Sequence, residues 1–72
     1  MKDISFDKSL GSALRSEREK KNLSQQDIAD RMGVTKMAVS NWESGNRSMY
    51  AKTVKEYCRA LGISIASLYE KF

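Results

Sequence analysis

Only three residues, Gly33, Val34 and Thr35, separate two stretches with helical patterning. Upstream, Ile28, Ala29 and Met32 share one face at helical spacing, and downstream Ala38, Val39 and Trp42 do the same. A join this short forces two helices to cross steeply and pack closely. Close packing needs a small residue at the crossing, and Ala29, one turn before Gly33, supplies it. Ile28, Val39 and Trp42 then bury the contact. The relative placement of two helices is thereby fixed before any other part of the chain is considered.

The rest of the pattern is also helical. A first helix is expected from about Phe6 to Lys21, with Leu10, Ala13 and Leu14 as its apolar stripe and Arg18 continuing that face. Asn22 suits the left-handed position after a helix end. Ser24 is a good N-cap, and "SQQD" is a capping-box variant that puts Asp27 near the positive helix end. Gly33 ends this second helix, where positive φ is needed. Thr35 caps a third helix from Lys36 to about Glu43, closed by Gly45. Ser48 is expected to cap a fourth helix reaching Leu61, with Gly62 beyond it. Val54, Tyr57, Cys58 and Leu61 form its stripe. Ser64 caps a last short helix with Ile65, Leu68, Tyr69 and Phe72 apolar. There is no proline, no internal repeat and no sustained alternation of the kind that marks strands. The expectation is an all-α, compact five-helix domain spanning residues 1–72.

Composition narrows the chemistry. A chain of 72 residues buries only about 60% of its unfolded surface, so its core is thin. One cysteine and no histidine exclude an internal disulfide framework and a cysteine–histidine zinc site. Cys58 lies on an apolar stripe and reads as core. No apolar run approaches the roughly 18 residues of a membrane span, and "MKDISFDKSLG" lacks the apolar core of a signal peptide. A cytoplasmic protein without membrane contact is expected. Nothing suggests an enzyme: there is no Gly-rich phosphate loop and no nucleophile with a plausible base. Asp27 and Asp30 share a helix without a matched partner set. No cofactor, metal or small-molecule ligand is implied.

The net charge is +4, which permits an anionic partner. It is unevenly placed: residues 1–23 carry net +2, residues 24–45 net −1 and residues 46–72 net +3. If the central helices meet nucleic acid, the flanking segments must supply much of the phosphate attraction.

"LSQQDIADRMGVTKMAVSNWESG" resembles the helix-turn-helix of the Cro/CI class of phage repressors, with the motif itself at about residues 24–43. The similarity extends back through "LGSALRSERE" and forward through "YCRALGISIASLY". It implies a lambda-repressor-like five-helix domain that binds double-stranded DNA. The family often has a proline at the first position of the fourth helix, where this chain has Met49.

At roughly 100° per residue, Lys36, Met37, Ser40 and Asn41 cluster opposite Ala38, Val39 and Trp42. In the family this side lies in the major groove. It carries no acid, which phosphates would repel. Lys36 can donate to guanine O6 and N7, Asn41 can bond adenine N6 and N7, and Met37 can pack on a thymine methyl. Ser40 stands open between a base or phosphate contact and solvent. By the same resemblance, Ser24 and Gln25 at the start of the second helix donate to phosphate. The loop "GNRS" does so through Asn46, Arg47 and backbone N–H groups, and Lys52 is a further candidate. Thr35 is first a cap, with a second role at the DNA. Tyr50 stands open between packing and a phosphate contact. Gln26 and Arg31 are expected to be solvated. Arg18 and Glu43 lie on inward positions and match a structural ion pair tying the first helix to the third.

The resemblance implies a sequence-specific transcriptional regulator, more often a repressor. One helix reads too few base pairs for a genome, so a homodimer on a (pseudo)palindromic operator is expected. Its seam would lie in the last apolar segment, at Ile65, Tyr69 and Phe72, with Leu68 closing the monomer core. The competing reading is a protein-interaction module, antitoxin-like or an adaptor, that reuses the fold. Such a module would be expected to carry acids or larger apolar residues at positions 36, 37, 40 and 41.

Overall fold

The computed structural model describes residues 4–70. Phe72, expected at the dimer seam, lies outside them. Five helices follow in order: α1 Ile4–Lys20, α2 Gln25–Met32, α3 Lys36–Ser44, α4 Ala51–Leu61 and α5 Ile65–Tyr69. No strand occurs among the described residues. None of these helices is long and apolar enough to cross a membrane.

Local chemistry sets most helix ends. Asn22 takes a left-handed conformation at φ 57°, and Leu23 N–H bonds the Arg18 carbonyl at 3.2 Å. Ser24 and Asp27 form a reciprocal capping box: Ser24 Oγ accepts from Asp27 N–H at 3.0 Å, and the Asp27 carboxylate accepts from Ser24 N–H at 2.8 Å. Those bonds from Ser24 hold the Asp27 carboxyl below its usual pKa. Gly33 sits at φ 69°, which lets Val34 N–H close back on the Ala29 carbonyl at 3.0 Å. Thr35 Oγ1 caps α3 by accepting from Ala38 N–H at 3.1 Å.

The start of α4 departs from expectation. Ser48 does not cap it. Its hydroxyl instead donates to the Asp7 carboxylate on α1 at 2.8 Å. The helix begins at Ala51, after Tyr50, which provides no side-chain cap. Met49 is half-buried against the core, so the chain stays extended through this stretch to bury it before turning helical. That moves the start of the helix two residues beyond the one a Ser48 cap would give.

The core joins all five helices through Leu10, Leu14, Ile28, Ala29, Val39, Val54, Tyr57, Cys58, Leu61 and Leu68. α3 packs on α1 and α2, and α4 packs on α2, α1 and α5. Burial pushes the Cys58 thiol pKa up, as suits a core residue. The α1–α3 crossing is closer than the pattern of apolar residues suggested. It is made at Gly11, where a Cβ would lie 2.5 Å from the Glu43 carbonyl oxygen and nearer still to that of Trp42. Ala29 on α2 is fully buried in the core, and Gly11, which the apolar pattern did not single out, sets the approach of α1 to α3.

Candidate nucleic-acid interface

The tight join turns one side of α3 to the core and the other to solvent. Val39 is fully buried, and Trp42 is half-buried against the core. Lys36 and Met37 are exposed, while Ser40 and Asn41 are half-buried. Among the described residues, none of these four side chains makes a hydrogen bond or ion pair. Gln25 lies beside Lys36, Met37 and Ser40 around a shared groove, so the start of α2 and the outer face of α3 form one surface. Ser24 and Thr35, both capping residues, are exposed.

Beyond α3 the chain turns at Gly45 into exposed Asn46 and Arg47. Two backbone N–H groups of this loop bond back to the end of α3. Arg47 N–H bonds the Asn41 carbonyl at 3.2 Å, and Asn46 N–H reaches Ser44 Oγ at 3.4 Å. The Asn46 and Arg47 N–H groups are therefore occupied, while both side chains stay exposed. Lys52 is exposed in the first turn of α4. Because α4 lacks a side-chain cap, its first-turn N–H groups are open to an anion. This feature could not be read from a sequence in which Ser48 looks like a cap.

Arg18 and Glu43 form the expected ion pair, and both are buried. Arg18 Nε donates to Glu43 Oε2 at 2.8 Å and Nη2 to Oε1 at 3.0 Å, a two-pronged pairing. Arg18 Nη1 also donates to the Leu23 carbonyl at 2.7 Å. Two further donors were not foreseen as partners. The Tyr57 hydroxyl donates to Glu43 Oε2. Gln25 Nε2 donates to Oε1 at 3.1 Å, so the amide expected to serve phosphate is drawn partly inward. One carboxylate thus ties α1, α2, α3 and α4 together. A buried tyrosine on an apolar stripe needs a partner for its hydroxyl, and that was the available signal for Tyr57. Arg31, expected to be solvated, donates to the Ala60 carbonyl at 2.8 Å and ties α2 to the end of α4. Gln26 is exposed, bonding Asp30 at 2.8 Å across one turn.

Burial pushes the Glu43 pKa up, but the bonds from Arg18, Tyr57 and Gln25 outweigh it and hold the carboxyl below its usual value. A depressed native pKa contributes stability that is full above the unfolded-state value, about 4.3. That stability is lost as pH falls through the lower native value. Tyr57→Phe removes one of the depressing donors. It is expected to cost about 1.5–3 kcal/mol and to move the acid limb of unfolding to higher pH. Urea denaturation at a series of acidic pH values checks this. An unmoved acid limb in Tyr57→Phe would show that the hydroxyl does not act on the carboxylate.

Two short helices crossed through a three-residue turn, the second exposing an acid-free polar face, define a helix-turn-helix protein. The helix-turn-helix family model matches residues 14–68. The chain belongs to the Cro/CI-type helix-turn-helix family of DNA-binding transcriptional regulators. An uncharacterised HTH-type transcriptional regulator of Archaeoglobus fulgidus is 32% identical over 77 residues, covering 97% of this chain and 34% of the relative. The chain thus spans about a third of that curated relative's length. The clp gene regulator ClgR of Corynebacterium glutamicum superimposes with a TM-score of 0.88 at 27% identity, covering 99% of this chain and 90% of that one. A restriction–modification controller protein, solved as a tetramer with its natural 35-base-pair operator, superimposes at 0.83 over 89% of this chain and 84% of that one. At 19% identity that last likeness is one of fold alone.

Proposed function

We propose that this protein is a cytoplasmic, sequence-specific regulator that binds double-stranded DNA as a homodimer, reads its operator with α3 in the major groove, and represses transcription. The observation that carries the reading is the outer face of α3, where Lys36, Met37, Ser40 and Asn41 stand together without an acid and without partners among the described residues. Lys36 and Asn41 supply donors for base edges, and Ser40 a smaller one. Ser24, Gln25, Thr35, Asn46, Arg47 and Lys52 flank that face and would hold phosphates, with the uncapped start of α4 adding open N–H groups. Half-buried Ile65 and exposed Tyr69 leave apolar surface on α5 for a two-fold seam, while Leu68 is fully buried in the monomer.

Selecting bound fragments from random DNA gives the site. Salt titrations with that site and its one-base variants then separate the roles. Lys36→Ala and Asn41→Ala are expected to relax sequence preference by about 1–3 kcal/mol at the base each reads. Arg47→Ala and Lys52→Ala should weaken binding to all sequences alike and lower the salt slope by about one unit per lost phosphate contact. The opposite assignment would mean that α3 is not the reader. A monomer in sedimentation at high concentration, together with selected sites lacking paired half-sites, would sink the homodimer.

A further inference from the structure

The outer face of α3 is not uniformly polar. An open groove of about 490 Å³ runs between the start of α2 and the first turns of α3, lined by Gln25, Lys36, Met37 and Ser40. Met37 is 68% exposed, a large apolar side chain left in water on a helix whose core side is already filled. Gln25 has one of its amide hydrogens committed to Glu43, so one polar head at the rim is drawn toward the interior. No carboxylate lines the groove.

We infer that this groove seats the C5-methyl group of one pyrimidine in each half-site, and that Met37 discriminates methylated from unmethylated C5. The inference rests on the reading of α3 as the base-reading helix. In the major groove the C5-methyl is the apolar feature a base pair presents. A thioether side chain offers almost no hydrogen bonding but is unbranched and polarisable, so it moulds to a methyl group. Thymine and 5-methylcytosine carry that methyl at the same ring position. They differ at C4, one presenting an acceptor and the other a donor, where Met37 makes no bond. Met37 therefore responds to either base by its methyl group.

The test uses the selected operator with each thymine replaced by deoxyuridine, and each cytosine by 5-methyldeoxycytidine, one position at a time in both strands. At the position found, a cytosine and 5-methylcytosine pair is also compared. Dissociation constants are measured for the wild-type protein and for Met37→Ala, whose exposed site makes misfolding a minor concern. At one position per half-site the methyl is expected to tighten wild-type binding about fourfold, the factor for one buried methyl group. It should do so for both bases, and in Met37→Ala the effect should fall below twofold. The inference is overturned if no methyl matters by more than twofold, if the effect survives Met37→Ala, or if thymine responds and 5-methylcytosine at the same position does not. A wild-type protein without any sequence preference overturns the underlying reading as well, so the two failures are distinguishable.

Discussion

Gly11→Ala is expected to destabilise the fold by roughly 3 kcal/mol, at the upper end of what overpacking costs. The same exchange at an exposed helical position would stabilise by up to about 1 kcal/mol. The sign reverses because the added carbon meets backbone. It would lie 2.5 Å from the Glu43 carbonyl oxygen and 2.8 Å from the Glu43 carbonyl carbon. A side chain in the way can rotate, but here α3 itself must move away from α1. That movement would also loosen the Arg18–Glu43 pairing, which spans the same two helices. A domain of this length holds roughly 4–11 kcal/mol in total, so the loss is a large share of it. Urea unfolding of Gly11→Ala beside Ser12→Ala, an exposed neighbour on the same helix, measures the effect. Equal stability for the two variants would show that the crossing is not as close as described.

Arg18→Met is expected to cost about 3–5 kcal/mol, because it leaves the Glu43 carboxylate buried without its cation. Tyr57 and Gln25 would still donate to it, but neither carries charge. The double variant Arg18→Met with Glu43→Leu is expected to recover part of that loss, since an apolar pair of similar volume often replaces a buried ion pair at little cost, while the buried Tyr57 hydroxyl loses its acceptor. A thermodynamic cycle of wild type, both single variants and the double variant isolates the coupling. A loss below about 1 kcal/mol in Arg18→Met would place the pair with weak surface bridges.

The helices and the turn were legible because their signals are local. Ser24 with Asp27, Gly33 and Thr35 each act within four residues of themselves, and the stripes of α1 and α4 follow directly from helical period. The ion pair was legible through family resemblance, as residues 18 and 43 are far apart in the chain. What stayed hidden depends on contacts across elements. Gly11 carries no periodic signal, and its importance comes from backbone on α3. Ser48 looks like a cap but is engaged by Asp7 from α1, and Met49 needs burial. Gln25 looks like a free amide until Glu43 is brought beside it. At the candidate interface, the side-chain inventory was readable in advance, whereas the bonding of the Asn46 and Arg47 N–H groups and the bare start of α4 needed the folded backbone.

The pinning of α3 at Glu43 bears on how such a protein could change over generations. The side chains anchoring the helix, Val39 and Glu43, are separate from those on its outer face, and Lys36 and Met37 bear almost none of the fold's weight. Exposed substitutions away from special features usually shift stability by no more than about 0.5 kcal/mol. New residues at 36 and 37 can therefore be tried without approaching the unfolding threshold, and on the proposed reading of α3 a descendant would acquire a different target while inheriting the same scaffold. Positions 18, 43 and 57 have no such freedom, because a change at any one strands a partner. Variation among descendants should accordingly gather at 36 and 37 and avoid 18, 43 and 57.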